Sequence, residues 1–341
     1  MNDKIHAAFF GYMEDNKVKI AVDIFGGDNA PDVCIQGVFQ ALSEDSDIII
    51  YAVGNETVVN EMAKADKRII PVVANEIIGM AEHPVDAIRK KKDATIPVAA
   101  RLIKDGTVDG FFSAGSTGAM LSAGTLIAGR IRGVKRPAIG ALLPGYDHPV
   151  LMMDVGANAD CKPEMLLQFA QIGTAYMKSV CGVAEPKVGL LNIGEEDEKG
   201  NAFSIDTNKL LRKKLDNFCG NCEGRDLMLG EFDVVVCDGF TGNVALKTIE
   251  GTGKLMFKFL KDAFMSGPTT KISAALMSSQ LKELKKKTDS EEQGGSPLLG
   301  TKGVFVIGHG SSGAKGIKNG ILETAKTVRC DLSKAIEDAI K

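Results

Sequence analysis

"PAIGALLPGYDHPVLMMDVG", residues 137–156, decides what kind of sheet this chain builds. Two apolar runs, 137–144 and 149–156, are parted only by Gly-Tyr-Asp-His. Four residues are too few for a crossover helix, so the runs are expected to pair antiparallel. Elsewhere, strand-like runs recur at 19–28, 47–54, 68–73, 110–115, 187–194, 232–239 and 303–310, several of them separated by helix-length segments. Near-continuous apolar strands are buried on both faces, and their alternation with helices specifies an α/β fold with a mainly parallel sheet. The hairpin makes that sheet mixed. In the helical segment 162–180, Met165, Leu166, Phe169, Ile172, Gly173 and Tyr176 recur at helical spacing.

The bulk numbers exclude several classes. The 341 residues are 44% hydrophobic and 25% charged, without Trp, which describes a globular chain with an aliphatic core. A net charge of −3 argues against a general nucleic-acid binder. No apolar run reaches the roughly 20 residues of a spanning helix. The first residues carry acids and lack a signal-peptide core. Residues 1–18 read as an extension before the first strand, and a cytoplasmic protein is expected. Seven cysteines, an odd count, suit reduced thiols better than a disulfide framework. Cys219 and Cys222 form a C-x-x-C by letter, without a second pair for zinc.

In such folds ligands bind beyond the carboxyl ends of the strands. Those ends here are "DIFGGD" (23–28), "SAGSTGA" (113–119), "DVGANAD" (154–160), "NIGEEDEKGN" (192–201), "CDGFTGN" (237–243) and "GHGSSGAKG" (308–316). All are rich in Gly, Asn, Ser, Thr and Asp, and together they are expected to form one polar cleft. Residues 251–300 break the pattern: two helices around "GPTT" (267–270) read as a helical hairpin projecting from a single domain at 19–335.

These blocks, in this order, closely resemble the acyl-carrier-protein-dependent phosphate acyltransferase family, PlsX. The likeness runs from about Lys19 to about Lys326 and includes the hairpin. It implies a three-layer α/β/α fold, phosphotransacetylase-like and, more distantly, isopropylmalate dehydrogenase-like. It further implies transfer of a fatty acyl chain from acyl carrier protein to inorganic phosphate. The acyl phosphate would then feed a glycerol-3-phosphate acyltransferase in phospholipid synthesis. A homodimer, peripheral membrane contact and no cofactor or metal are also implied. Two departures stand out: Ser116 where the family usually has Asn, and Phe25 where it usually has Met.

Attack of phosphate on a thioester asks mainly for positioning and charge stabilisation. Ser113, Ser116 and Thr117 end a strand and open a helix, which suits a phosphate; a plain helix cap is the competing reading. Asp238, Thr241, Asn243 and Lys247 are candidates for phosphate, the oxyanion and charge balance. Asn192, Glu195 and Lys199 are taken as cleft residues through the resemblance. His309 is the candidate acid for the departing thiolate, beside Ser311 and Ser312. Glycine and serine here fall out of register for the nucleophile elbow of a serine hydrolase. Asp23, Asp28, Asp154 and Asn158 are assigned to orienting lysines or backbone amides. In the hairpin, Lys271, Lys282, Lys285 and Lys286 are expected to attract acidic carrier protein, while Leu255, Met256, Phe257, Phe259 and Leu260 meet lipid, acyl chain or a second subunit. Two other readings are a short-chain phosphotransacetylase using coenzyme A and a non-enzymatic carrier-protein or membrane scaffold.

Overall fold

The computed structural model describes residues 17–341 apart from Asp289, and apart from the side chains of Lys285, Lys287, Thr288 and Ser290. The expected N-terminal extension lies outside the described residues as far as 16. The chain falls into two compact units, one ending at Pro137 and resuming at Gln293–Lys341, the other Ala138–Glu292. In chain order the first segment supplies β1 (Val18–Asp23), α1 (Asp32–Glu44), β2 (Ile48–Gly54), α2 (Glu56–Ala65), β3 (Ile69–Val73), α3 (Pro84–Lys90), α4 (Thr95–Lys104), β4 (Gly110–Ser113) and α5 (Thr117–Ala123). The second unit contains β5 (Ala138–Leu143), β6 (Val150–Met153), α6 (Pro163–Ser179), β7 (Val188–Asn192), α7 (Ala202–Lys214), β8 (Phe218–Glu223), β9 (Val234–Val236), α8 (Gly239–Met265), α9 (Pro268–Leu276) and α10 (Ser278–Thr288). The short α11 (Ser290–Gln293) leads back to the first unit, which ends with β10 (Ser296–Leu299), β11 (Val304–Ile307), α12 (Ala314–Arg329) and α13 (Leu332–Ala339).

Both units carry the mixed, mainly parallel sheet with flanking helices that the alternating runs require. The strand order is β3-β2-β1-β4-β11-β10 in the first and β5-β6-β9-β7-β8 in the second. The opening hairpin is antiparallel, with Gly140 opposite Met153 and Leu143 opposite Val150. β10 and β11 form the matching antiparallel pair. The remaining pairs are parallel. The orders β2-β1-β4-β11-β10 and β8-β7-β9-β6-β5 are thus one topology used twice, entered at different points of the chain. No letter-by-letter repeat in the sequence announces it.

Burial explains the elements. All but one residue of β1 are buried. α1 buries Cys34, Gly37, Val38, Ala41 and Leu42 at helical spacing. A Cβ on Gly37 would fall 2.5 Å from Ile317 Cβ, so only glycine lets α1 approach α12 this closely. In α6, Pro163 stands in the first turn and Leu166, Phe169, Ile172, Gly173 and Tyr176 are buried, as the spacing predicts.

The expected hairpin changes in two places. The helix opened by the 237–243 turn and the helical run from 251 are one helix, which starts at Gly239 and runs 27 residues. Gly251 and Gly253, at the head of the run expected to be helical from 251, lie inside the helix, whose capping side chain is Asp238, accepting from Thr241 N. Neither glycine has anything within 4 Å of where its Cβ would be, so they are passed through at about 1 kcal/mol each. The second helix is interrupted at Met277, giving α9 and α10. Pro268 opens α9, which shortens the connection to Ser266 and Gly267.

Glycines in these two settings should respond oppositely to alanine. Gly251→Ala, in open helix, is expected to raise stability by about 1 kcal/mol. Gly320→Ala is expected to lower it by about 1–3 kcal/mol, because the new methyl overlaps the Phe112 ring. Urea unfolding of the two variants beside the parent checks both signs.

Candidate active site

The six polar turns divide three to a unit, and in each unit they follow neighbouring parallel strands. In the first unit β1, β4 and β11 lie side by side. Asp23, 2% exposed, ends β1. Its Oδ1 accepts from Phe25 N at 3.1 Å and its Oδ2 from the Ser113 hydroxyl at 2.8 Å. Ser113 Oγ in turn accepts from Gly115 N at 3.0 Å. Burial pushes the Asp23 carboxyl above its ordinary range, and the bonds from Ser113, Thr95 and the backbone pull the other way. Ser113 is wholly buried and holds the turn's shape. Ser116, 5% exposed, is the helix cap of α5, accepting from Ala119 N at 3.4 Å, while Thr117 is exposed. Asp28 N donates to Gly310 O at 2.8 Å, joining the β1 and β11 turns. His309 is exposed; its Nδ1 accepts from Ser311 N and lies 2.9 Å from the Ser311 hydroxyl. A neutral imidazole accepting at Nδ1 carries its proton on Nε2. Ser312 is buried and Ser311 exposed.

In the second unit β6, β9 and β7 are neighbours. Asp154, at the end of β6, is fully buried. Its Oδ1 accepts from Ile139, Gly156 and Ala157 N at 3.1, 3.2 and 3.0 Å. Its Oδ2 accepts from Asn158 N at 2.7 Å and Asn158 Nδ2 at 2.9 Å. Burial raises this carboxyl too, opposed by the bonds from Ala157, Asn158 and Ile139. The loop so fixed is the floor under α8. Gly239 N donates to Asn158 O at 2.7 Å, and Asn243 Nδ2 donates to Val155 O at 3.0 Å. A side chain at Gly242 would overlap the Asp154 carbonyl. Asp238 accepts from Thr241 N at 2.8 Å and from the Thr241 hydroxyl at 2.7 Å. Burial first, then the Asp154 charge, pushes the Cys161 thiol to about 12 and Cys237 well above its ordinary value. Both are protonated thiols, unsuited as nucleophiles.

Several expectations change here. Asp23 and Asp154 orient backbone amides and short polar side chains, not Lys199 or Lys247. Those two lysines are exposed and face acids of their own segment: Lys247 Nζ lies 2.9 Å from Glu250, and Lys199 Nζ lies 4.0 Å from Glu196. Exposed pairs like these contribute little to stability. Asn192 closes its own loop, donating to Lys199 O at 3.0 Å and accepting from Ile193 N at 2.9 Å. Glu195 groups with Glu223 and Asp226, and the Arg225 guanidinium lies among them at 2.8–3.7 Å. Thr241 and Asn243, expected to donate to an anion, already spend donors within the protein. Lys271, Lys282 and Lys286 are exposed on α9 and α10, and the Lys285 side chain lies outside the described residues.

A model of the family described as fatty acid synthesis protein matches residues 18–335. The chain is 46% identical over 328 residues to a phosphate acyltransferase of Clostridium perfringens, covering 95% of this chain and 97% of that one. It is 43% identical over 325 residues to a phosphate acyltransferase of Bacillus cereus, covering 95% and 98%. The chain belongs to the phosphate acyltransferase family. Among solved structures it shares its fold with a phosphotransacetylase from Streptococcus pyogenes (TM-score 0.58, 16% identity, 95% and 98% coverage). A branched-chain phosphotransacylase from Enterococcus faecalis is similar (TM-score 0.57, 14% identity, 91% and 99% coverage).

Two apolar residues among the polar turns escaped the sequence reading of this phosphate acyltransferase family member. Phe240 is 67% exposed and Ile193 is 80% exposed. The signal was present: a phenylalanine and an isoleucine inside turns otherwise built of small and polar residues. Thr95, bonded to Asp23, sits in no motif and had no such signal.

The two buried aspartates predict different amide variants. Both Asp154 oxygens face only N–H donors, so Asp154→Asn strands at least two of them, at about 1–3 kcal/mol each. Asp23→Asn costs less, because a carboxamide N–H can donate to the Ser113 hydroxyl. Asp23→Asn also alters the pH profile. With its folded value above the ordinary 3.8, the carboxyl of the native state holds its proton more tightly than the unfolded chain does. That contribution is full below the unfolded value and fades as pH rises through the folded one. Urea unfolding from pH 3.5 upward should therefore show the parent losing stability relative to Asp23→Asn.

Proposed function

We propose that this chain transfers a fatty acyl group from the thioester of acyl carrier protein to inorganic phosphate, releasing acyl phosphate and free carrier thiol. The observation behind this reading is the family match across 18–335, joined to relatives named phosphate acyltransferase at 43–46% identity over nearly the whole chain. A phosphate oxygen attacks the thioester carbon, the C–O bond forms, and the C–S bond breaks. Phosphate is an anion at neutral pH and needs little help from a base. The thiolate leaves with the bonding electrons and takes a proton. The 113–118 turn, with the exposed Thr117 hydroxyl, and Ser311 are assigned to the phosphate. His309, through Nε2–H, is assigned to the departing sulfur. The Cys161 and Cys237 thiols near Asp154, held protonated, favour direct attack over an acyl-cysteine intermediate.

The lysines of α9 and α10 are assigned to the acidic carrier. The exposed Leu255, Met256, Phe259 and Leu260 of α8 are assigned to a second subunit or a membrane surface. No helix among the described residues is long and apolar enough to cross a membrane. Acyl phosphate is a reactive mixed anhydride, so an acyltransferase to glycerol 3-phosphate is the proposed consumer.

Purified protein with long-chain acyl carrier protein and phosphate is expected to release carrier thiol only when phosphate is present. Faster turnover of acetyl-coenzyme A would redirect the reading to a short-chain phosphotransacetylase. Absence of phosphate-dependent release with either donor would refute it. His309→Asn is expected to lower kcat about 10²–10⁴-fold with the thioester, the range of a lost acid.

A further inference from the structure

Between β3 and α4 the chain of the first unit forms a strap, residues 74–94, whose two ends are bonded together. Asn75 N and Glu76 N donate to Asp93 O at 3.1 and 3.2 Å, and Thr95 N donates to Glu76 O at 3.1 Å. Asn75 Nδ2 donates to Asp93 Oδ2 at 2.8 Å. Nearer the tip, Glu82 Oε1 accepts from Gly79 N and from Lys91 Nζ, both at 2.7 Å, and the same ammonium donates to Ile77 O at 2.9 Å. Ile78 is buried and anchors the tip, while Ile77 is 49% exposed and Met80 54%.

The strap rests on two of the polar turns. A Cβ on Gly310 would fall 3.0 Å from Met80 Cε, and one on Gly118 would fall 2.5 Å from Pro84 Cγ. Gly310 follows His309, assigned above to the departing sulfur, and Gly118 follows Thr117, assigned to the phosphate. All of these residues belong to the first unit. Both turns are built of small and polar residues. Met80 brings an unbranched apolar side chain onto one of them, one residue from His309. The donor in an acyl transfer is polar at its thioester and apolar beyond it. Its alkyl chain begins at the carbon that has to meet phosphate and the acid, and it is stabilised by leaving along apolar surface. A flexible thioether adapts to a chain of variable shape.

We propose that Met80, continued by Ile77, is a specificity-determining residue that packs against the alkyl chain of the acyl donor where the chain leaves the thioester carbon. This inference rests on the acyl-transfer reading, with His309 and Thr117 beside the reacting groups, and extends it to the chain itself. No bond changes at Met80. Each methylene laid against it leaves water, so the contact favours long chains over short ones.

The test compares butanoyl and dodecanoyl thioesters, each on acyl carrier protein and on coenzyme A. Phosphate-dependent thiol release is measured with the parent, Met80→Ser, Ile77→Ser and Met80→Leu, and light scattering records the oligomeric state of each. The parent is expected to favour the dodecanoyl donor in kcat/KM. Met80→Ser is expected to cut that preference about tenfold, the scale of one or two methylenes losing their contact, and Ile77→Ser to cut it less. Met80→Leu is expected to keep most of it, and KM for phosphate to stay within twofold throughout. A parent that treats both chains alike overturns the inference, as does a preference that persists in folded Met80→Ser, or one that Met80→Leu loses as fully as Met80→Ser. A rise in phosphate KM also overturns it and places the strap's effect on the anion. A changed oligomeric state in Met80→Ser overturns it in favour of a contact between copies of the chain. If Met80→Ser fails to fold, Ile77→Ser and the parent's own preference still decide. No phosphate-dependent release from any of the four donors defeats the acyl-transfer reading itself, a different outcome from release without chain-length preference.

Discussion

A fully buried carboxylate is tolerable only when every lone pair has a donor, and Asp154 meets that condition with four backbone N–H groups and one side-chain amide. The rest of the second unit's candidate site follows from it. The bonds to Gly156, Ala157 and Asn158 wind the chain after β6 into one tight loop. The bond to Ile139 ties that loop to β5, so the hairpin that makes the sheet mixed also anchors the site. On this floor α8 begins, its glycines at 239 and 242 in backbone contact with the loop. Asn243 then has one way to sit.

Asp23 does a smaller version of the same work in the first unit. Its partners are Ser113, Thr95 and two backbone amides, and through Ser113 it reaches Gly115 N. In both units buried polar side chains set the shape of the turns, and others stay exposed on them. Thr117, Ser311, His309 and Asn243 belong to the second kind. Ser113 and Asp154 belong to the first, although composition alone cannot tell a serine that holds a turn from one that is left exposed. The difference lies in which neighbours the strand order supplies.

The two units share a strand topology entered at different points, and both place three small-residue turns after neighbouring parallel strands. That arrangement yields many backbone donors with few bulky side chains. Phe240 and Ile193 are the bulky apolar side chains exposed within those turns.

Much was determined by the sequence alone. Apolar runs, the four-residue gap at 145–148 and the helical spacing in 162–180 specified the mixed α/β sheet and its six polar strand ends, because these signals are local and the chain satisfies them locally. The ordered blocks were enough to recognise the family. Tertiary structure decided the rest. The helical run from 251 looked separate from the turn at 237–243, but both belong to one helix capped by Asp238. Asn243 and Thr241 looked like donors to an anion, yet hydrogen-bond polarity belongs to a pair, and the partners Val155 and Asp238 had to be seen. Lys199 and Lys247 looked available, and each faces an acid of its own segment. A residue type announces which bonds it can make; the folded neighbours consume some of them, and what they leave over is what a substrate meets.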